Sequence, residues 1–421
     1  MNLRLTSVST FALTLLFLYM DFSLAASTIS GRPVDAKGRN GKIGGNNFNP
    51  AISLILDGRY VETDIDELAL PGFQPGGAEA ASDGFGLGET EFSISANIDD
   101  KIYGWFTLAI EEEDGETKTE IEEGFIESIG LGSGITLRGG RWFSLIGYEN
   151  HIHEHALDFS NTSLVYDALL GGKLSGDGVQ ARWIAPTDLF LELGVELFGG
   201  GDFPGGESSN NIGTSTFFIR TGGDIGSGGA WRFGSSYIQT DFDERPNAEQ
   251  EENEFFALTN GDADIFGVDF VFKWSPNGNP TQRNFKLITE YYRRDENGTA
   301  ELTQGINSST ANYDGDQVGF YVQALYQWQP GWRTGLRFDQ LSSDNTLSNI
   351  SGTIADADFI ETSGLVSNED PQRVTLSVDY SPSEFSRFRL QYSQTDTGDI
   401  NEDTIILQYL VSLGAHPAHA F

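Results

Sequence analysis

The residues best suited to do chemistry are three histidines that alternate along a short segment. They are His151, His153 and His155, and the acidic residues beside them are Glu149, Glu154 and Asp158. In an extended segment alternate side chains point the same way, so the three imidazoles share one face. Neutral imidazole is a ligand for Zn²⁺ and similar ions. The spacing predicts weak or transient metal binding by these histidines; without a metal, they would hydrogen-bond to acids around them.

Catalysis and nucleotide binding are weakly signalled. Ser144 and Ser160 lie near the histidines, as a hydrolase nucleophile would, but three alternating histidines suit ligation or a pore constriction better than one general base. The glycine-rich stretch 199–201 does not open a helix, which argues against a phosphate-binding loop. We therefore expect no enzyme and no required cofactor, with Zn²⁺ or another divalent cation as the ligand class indicated.

Composition excludes several classes of protein. The chain has 62 acidic and 25 basic residues, a net charge of -37, so a nucleic-acid partner is not expected. Aromatic residues at 12% argue against disorder, and the absence of cysteine excludes disulfides and thiolate metal sites. The 51 glycines and only 2 methionines favour a β-rich architecture.

The N-terminal segment predicts export. Residues 1–25 carry Arg4, an apolar run of about 10 residues and a small-residue cleavage site before Ala26, which is typical of a signal peptide. That run is too short to span a bilayer as a helix, which needs about 20 residues. The expected organisation begins with a signal peptide at 1–25 and a polar leader at 26–49.

The rest of the chain alternates apolar and polar residues with period two, which predicts strands between two different environments. Sixteen such segments begin near Ala51, Glu91, Lys101, Thr119, Gly134, Gly178, Asp188, Thr214, Ala230, Asp264, Arg283, Asp316, Gly331, Arg373, Phe385 and Thr404. Tight turns alternate with mostly longer, acidic connections at 63–90, 144–177, 200–213, 241–262, 296–315 and 344–372. The alternation is least clear at 119–129. An even number of antiparallel strands with this loop pattern predicts an all-β, transmembrane barrel. We therefore expect an outer-membrane β-barrel at 50–421, with the polar leader at 26–49 in the periplasm.

Tryptophan positions separate a membrane barrel from a soluble β-sandwich. Five of the seven lie close to tight turns on the apolar face, namely Trp183, Trp231, Trp274, Trp328 and Trp332. A membrane-interface girdle places indoles at that level, whereas a sandwich core would place them in the middle of strands.

The polar face of the strands is strongly charged and predicts a water-filled lumen, because such charges facing lipid would cost about 2–4 kcal/mol each. A plugged interior or a soluble surface would show the same pattern, although a soluble surface conflicts with the tryptophan positions. The predicted wall residues are Arg138, Arg182, Glu192, Glu196, Arg333, Arg337, Arg373, Arg387 and Arg389. The acidic outer loops predict either an electronegative vestibule or a solvated end that meets lipid and lipopolysaccharide through divalent ions.

Five stretches resemble a proteobacterial group of porin-like outer-membrane proteins that are often labelled zinc-regulated receptors. They are 48–58, 147–159, 177–183, 185–194 and 414–419. More remotely, the chain is similar to phosphate-selective porins. In sixteen-stranded porins the third outer loop commonly folds into the barrel, so the resemblance implies a constriction built from His151, His153, His155, Glu149, Glu154 and Asp158.

The resemblance implies passive diffusion of small hydrophilic solutes or ions across the bacterial outer membrane. An energised, TonB-dependent metal receptor is the alternative, although such receptors have 22 strands and a plug domain; a non-conducting structural or adhesive barrel is another. The terminal Phe421 resembles an assembly signal, which makes the barrel assembly machinery an expected partner. Trimers are usual for porins of this plan, so a homotrimer is the assembly to test.

Overall fold

A computed structural model describes residues 50–64, 70–74, 83–113, 116–206, 212–247, 254–398 and 401–414. The predicted signal peptide, the leader and the terminal Phe421 lie outside these residues, so the predictions about them stay predictions. In the described part, no helix is long and apolar enough to cross a membrane.

The described residues form seventeen strand segments and two α-helices. The strands are β1 Ala51–Thr63, β2 Gly84–Leu87, β3 Thr90–Asn97, β4 Ile102–Glu113, β5 Glu116–Ser128, β6 Ile135–Phe143, β7 Ser175–Ile184, β8 Phe190–Phe198, β9 Thr214–Ile225, β10 Gly229–Pro246, β11 Glu254–Trp274, β12 Asn284–Gln304, β13 Asn307–Gln329, β14 Trp332–Gly352, β15 Gln372–Ser383, β16 Ser386–Asp396 and β17 Asn401–Gly414. The helices are α1 Leu164–Leu170 and α2 Asp356–Ser363.

The strands close into one antiparallel barrel of sixteen wall positions. From β3 onward each strand pairs with the next, and β17 returns to pair with β1. Both β2 and β3 pair with β1, at different heights, so together they occupy one position. The predicted fold class and strand number are therefore confirmed.

Strand β13 shows how alternation sorts side chains between two solvents. From Val318 to Trp328, alternate apolar residues face outward and are partly exposed, whereas Gln317 and Gln323 face inward and are buried. Above Val318 the outward residues become Asn312, Asp314 and Asp316. About eleven residues of tilted strand match an apolar band of about 25 Å.

The tryptophans separate as predicted. Trp183, Trp231, Trp274, Trp328 and Trp332 are all exposed or half-buried at the end with the tight turns, and the indole N–H of Trp183 donates to the carbonyl of Ser133 at 3.1 Å. The other two, Trp105 and Trp142, are buried in the interior. The outer five form the expected interface girdle.

The expectation of long outer loops is wrong for three of the six connections. Most of 241–262, 296–315 and part of 344–372 is strand, because β10 to β14 are 18 to 23 residues long. A bilayer crossing needs only about 9–11 residues. Above the membrane the outer faces are mostly polar, but the inner faces stay apolar, with Phe242, Phe256 and Leu302 in one buried cluster. The packing of this cluster stabilises the continued pairing of the strands above the membrane.

The barrel interior is filled by chain. Residues 144–174, which join β6 to β7 and which we name the third loop, run inside the wall and carry α1. Over the outer mouth, α2 places the buried Phe359 on the upper apolar cluster, and the amide of Gly72 donates to the carbonyl of Gly364 at 2.9 Å. The third loop thus folds inward, as the family resemblance implied.

Replacing the outward Val322 with arginine should destabilise the barrel by about 2–4 kcal/mol, because the charge would lie near the bilayer midplane. Urea unfolding of the protein folded into lipid vesicles measures this loss. Asn312→Arg is the matched control, since Asn312 is outward on the same strand above the apolar band. Equal losses for both variants would contradict the assignment of the band.

Candidate functional site

The third loop enters the barrel through a turn that only glycine can make. Gly147 has φ +54, and a Cβ there would overlap the Glu290 carboxylate and the Tyr292 hydroxyl, with the Tyr166 hydroxyl 2.6 Å away. Positive φ and this crowding both exclude a side chain. The turn presses the loop backbone directly against β12.

Glu290, on β12, is the main acceptor for the loop backbone. Its carboxylate accepts the amides of Tyr148 and Glu149 at 2.9 and 3.0 Å. It also accepts the hydroxyls of Tyr166, Tyr292 and Tyr321 at 3.0, 3.1 and 2.6 Å. Five donors surround one buried carboxyl group, so its oxygens are well satisfied and fix the start of the third loop.

Two further wall acids repeat this role. Glu196 accepts the amide of Leu145 at 3.1 Å and the indole N–H of Trp142 at 3.1 Å. Asp339 accepts the amide of Leu164, the first residue of α1, at 3.1 Å. A carboxylate at a helix N-terminus satisfies an amide that has no partner within the helix.

Wall arginines serve the loop carbonyls in the complementary way. Arg232 donates to the carbonyl of Gly147 at 3.1 Å, and Arg389 donates to the carbonyl of Leu157 at 3.1 Å. Arg337 donates to the carbonyls of both Asn161 and Thr162 at 2.9 Å. Arg373 also donates to the carbonyl of Thr162, and Arg387 to that of His155. Buried backbone groups need such partners.

Glycines in the wall make room for apolar contacts. A Cβ at Gly319 on β13 would lie 2.6 Å from Val165 Cγ2 of α1, and one at Gly335 on β14 would lie 2.9 Å from the ring of Phe159. Every residue of α1 is buried. The inner faces of β13 and β14 are thus shaped to accept the third loop.

The acids predicted for the constriction contact different walls. Asp158 pairs with Lys286 at 2.5 Å and with Arg333 at 2.7 Å. Burial alone would raise the pKa of Asp158, but these two cations hold it well below its ordinary value. Glu154 pairs with Arg59 on β1 at 2.5 Å. Glu149 accepts the amide of Ser163 at 2.9 Å, and burial raises the pKa of Glu149 to about 8 despite nearby Arg337.

The histidines meet glutamates of the opposite wall, on and beside β3 and β5. Nδ1 of His153 lies 3.2 Å from Glu91 and 3.3 Å from Glu122, while its Nε2 lies 3.0 Å from Glu123. His155 also contacts Glu91. Burial disfavours the imidazolium form of His153, but Glu91 and Glu122 outweigh burial and raise its pKa.

These residues, with Glu89, form what we name the carboxylate–histidine cluster. In the described part of the chain, the ligand atoms of Glu89, Glu91, Glu122 and His153 lie within 4.8 Å of one another. His151 is not in that group, and the rings of His153 and His155 are 5.9 Å apart. Metal binding by all three histidines together stays a prediction.

The glutamates of this cluster were not singled out from the sequence. The pairing of β4 with β5 shifts register between Thr107 and Leu108, so β5 carries an extra residue there and both Glu122 and Glu123 reach the interior. This bulge explains why the alternation of apolar and polar residues is unclear at 119–129.

The predicted wall residues all face inward, but they meet protein rather than open water. Arg138 and Arg182 both pair with Glu127, at 2.9 and 2.8 Å, and Arg182 also lies 3.4 Å from Glu192. Together with the arginines that bind loop carbonyls, they are mostly buried. The third loop contacts six of the nine residues that the alternation pattern assigned to a wet lumen, namely Glu196, Arg333, Arg337, Arg373, Arg387 and Arg389.

Comparisons with known proteins agree on the architecture. No protein-family model matches the chain. An "Uncharacterized protein" of Aquifex aeolicus (strain VF5) is 28% identical over 416 residues, covering 89% of this chain and 80% of that protein. Among solved structures, the chain is similar to the trimer form of OmpT, an outer membrane protein of Vibrio cholerae (TM-score 0.51, 11% identity, 87% of this chain and 99% of that one).

Two more solved structures are similar to the chain. They are the outer membrane channel DcaP of Acinetobacter baumannii (TM-score 0.50, 16% identity, 87% and 96% covered) and OprB of Pseudomonas putida (TM-score 0.50, 11% identity, 87% and 94% covered). At these identities the likeness shows the fold alone. The chain has the porin-like, sixteen-stranded barrel fold of outer-membrane proteins, and the zinc-regulated receptor label finds no support among these relatives.

Glu290→Ala should loosen the start of the third loop, since the amides of Tyr148 and Glu149 would lose their acceptor; an unsatisfied buried donor costs about 1–3 kcal/mol. Hydrogen–deuterium exchange of the peptide covering 144–158 should speed up by at least tenfold. Glu290→Gln, which keeps one acceptor oxygen, should show a smaller effect. Unchanged protection in Glu290→Ala would contradict the anchoring role.

Proposed function

We propose that the protein is a porin-like channel of the bacterial outer membrane through which small hydrophilic solutes or ions diffuse passively. The observation that carries the proposal is the closed barrel with an apolar outer band, a charged inner wall and a third loop folded inside. Lipid outside and polar groups inside are the arrangement that a transmembrane barrel requires.

The third loop is the element that would set conduction. It contacts β12 through Glu290 and the opposite wall through His153, and it therefore reaches across the barrel. A route for solutes has to pass between the loop and the wall, or open when the loop moves. The proposed constriction residues remain His151, His153, His155, Glu149, Glu154 and Asp158.

The fold likeness supports an outer-membrane location and makes a homotrimer worth testing, since one similar structure is described as a trimer form. A link to metal traffic is part of the proposal as well. It is motivated by the carboxylate–histidine cluster beside the loop.

One observation favours a second candidate, a non-conducting structural barrel. The inner wall is covered, with Arg337, Asp339 and Glu290 at 1, 0 and 1% exposure. Such dense packing is typical of a plugged barrel, so the test of conduction has to include a variant with a loosened loop.

Conductance in planar lipid bilayers tests the channel. Gly335→Leu would collide with Phe159, and overpacking of this kind costs about 1–3 kcal/mol, which raises the undocked loop population by roughly one to two orders of magnitude. We expect small conductance steps for the natural sequence and larger or more frequent openings for Gly335→Leu.

The control is Leu336→Phe, a change on the lipid-facing side of the same strand, which should behave like the natural sequence. If neither the natural protein nor Gly335→Leu conducts, although both are folded and inserted, the channel proposal fails and the structural barrel takes its place.

A further inference from the structure

We infer that Glu89, Glu91, Glu122 and His153 bind one divalent transition-metal ion, which joins the third loop to the wall at β3 and β5. The inference rests on the geometry of the barrel interior and not on conduction. Its four ligands differ from the three-histidine set that the sequence predicted, because only His153 is common to both.

The separations between ligand atoms suit a small metal ion. Zinc bonds of about 2.0–2.2 Å to nitrogen and oxygen place neighbouring tetrahedral ligands about 3.4 Å apart. Nδ1 of His153 lies 3.2 Å from an oxygen of Glu91 and 3.3 Å from an oxygen of Glu122. All four ligand atoms lie within 4.8 Å of one another, so small side-chain movements would complete the shell.

Three of the four ligand atoms are buried and lack good hydrogen bonds. Within the described residues, Oε1 of Glu89 has no hydrogen-bond partner, and Glu89 is only 8% exposed. Oε2 of Glu122 and Nδ1 of His153 contact each other at 3.3 Å but have no partner outside the cluster. Buried polar atoms without partners are costly. A bound cation would satisfy all three atoms at once.

Charge balance points the same way. Five carboxylates meet here, those of Glu89, Glu91, Glu122, Glu123 and Glu154. Lys173 faces four of the five, Arg59 is shared between Glu154 and Asp57, and His153 and His155 both contact Glu91. When His153 ligates a metal it is neutral, so these cations do not balance the five carboxylates. Like charges this close repel in a poorly solvated site, so the cluster favours an additional positive charge.

The surroundings of His153 also fit a metal ligand. With Nδ1 directed at Glu91 and Glu122, its Nε2 lies 3.0 Å from Glu123. A ligating histidine usually donates its other ring N–H to a carboxylate, which orients the ring and raises its basicity. Three carboxylates and one imidazole suit Zn²⁺ or Mn²⁺ and exclude the softer ions that prefer thiolates.

Metal binding to the full barrel, refolded in detergent and stripped with chelator, tests the inference. Isothermal titration with Zn²⁺ and with Mn²⁺ should show one site per chain for at least one ion. Glu122→Gln and His153→Ala should each weaken binding at least tenfold, whereas His151→Ala, the matched control, should bind normally. Circular dichroism and retained heat-modifiable migration on gels confirm that each variant is folded.

X-ray absorption of the loaded protein supplies a second readout, with one nitrogen and otherwise oxygen ligands expected. Absence of saturable binding, loss of binding in His151→Ala, or a shell of three imidazoles would each overturn the assignment. None of these measurements depends on conduction, so the site and the channel can fail separately.

Discussion

A loop backbone enclosed in a barrel has to find partners for its amide and carbonyl groups, and this constraint governs the interior of the protein. Glu196, Glu290 and Asp339 accept the amides of the third loop, while wall arginines donate to its carbonyls. Because each buried group left unpaired would cost about 1–3 kcal/mol, the wall charges are what make an inward loop stable. A lumen lined only by apolar residues could not hold it.

The same inward charges explain why the strands could be recognised in the sequence, because they alternate with the apolar residues of the outer face. Alternation at Val318–Trp328 reports two solvents, lipid and interior, and therefore predicts strand, sidedness and barrel together. The tryptophan positions also indicate where along the strands the membrane edge lies. All of these features can be predicted locally, because the polarity of each residue depends only on the environment that its own side of the strand faces.

What could not be predicted depends on partners distant in the chain. Strands β10 to β14 continue above the membrane because Phe242, Phe256 and Phe359 pack together there. Glu122 reaches the interior through a bulge that is visible only once β4 and β5 are paired. The space left by Gly319 and Gly335 can be explained only once Val165 and Phe159 are known to pack against them. The spacing of the three histidines is visible in the sequence, but the wall carboxylates that contact His153 and His155 lie 30 or more residues away.

The docked third loop is the central claim, and a disulfide tests it most directly, since the chain has no cysteine of its own. A Cβ at Gly319 would lie 3.1 Å from Cβ of Val165, close to the roughly 3.5–4.5 Å of a disulfide. In the double variant Val165→Cys, Gly319→Cys, oxidation of the folded barrel should join the two peptides, as detected by mass spectrometry, and the urea-unfolded chain should crosslink far less. Cysteines that stay free in an intact, folded barrel would contradict the account.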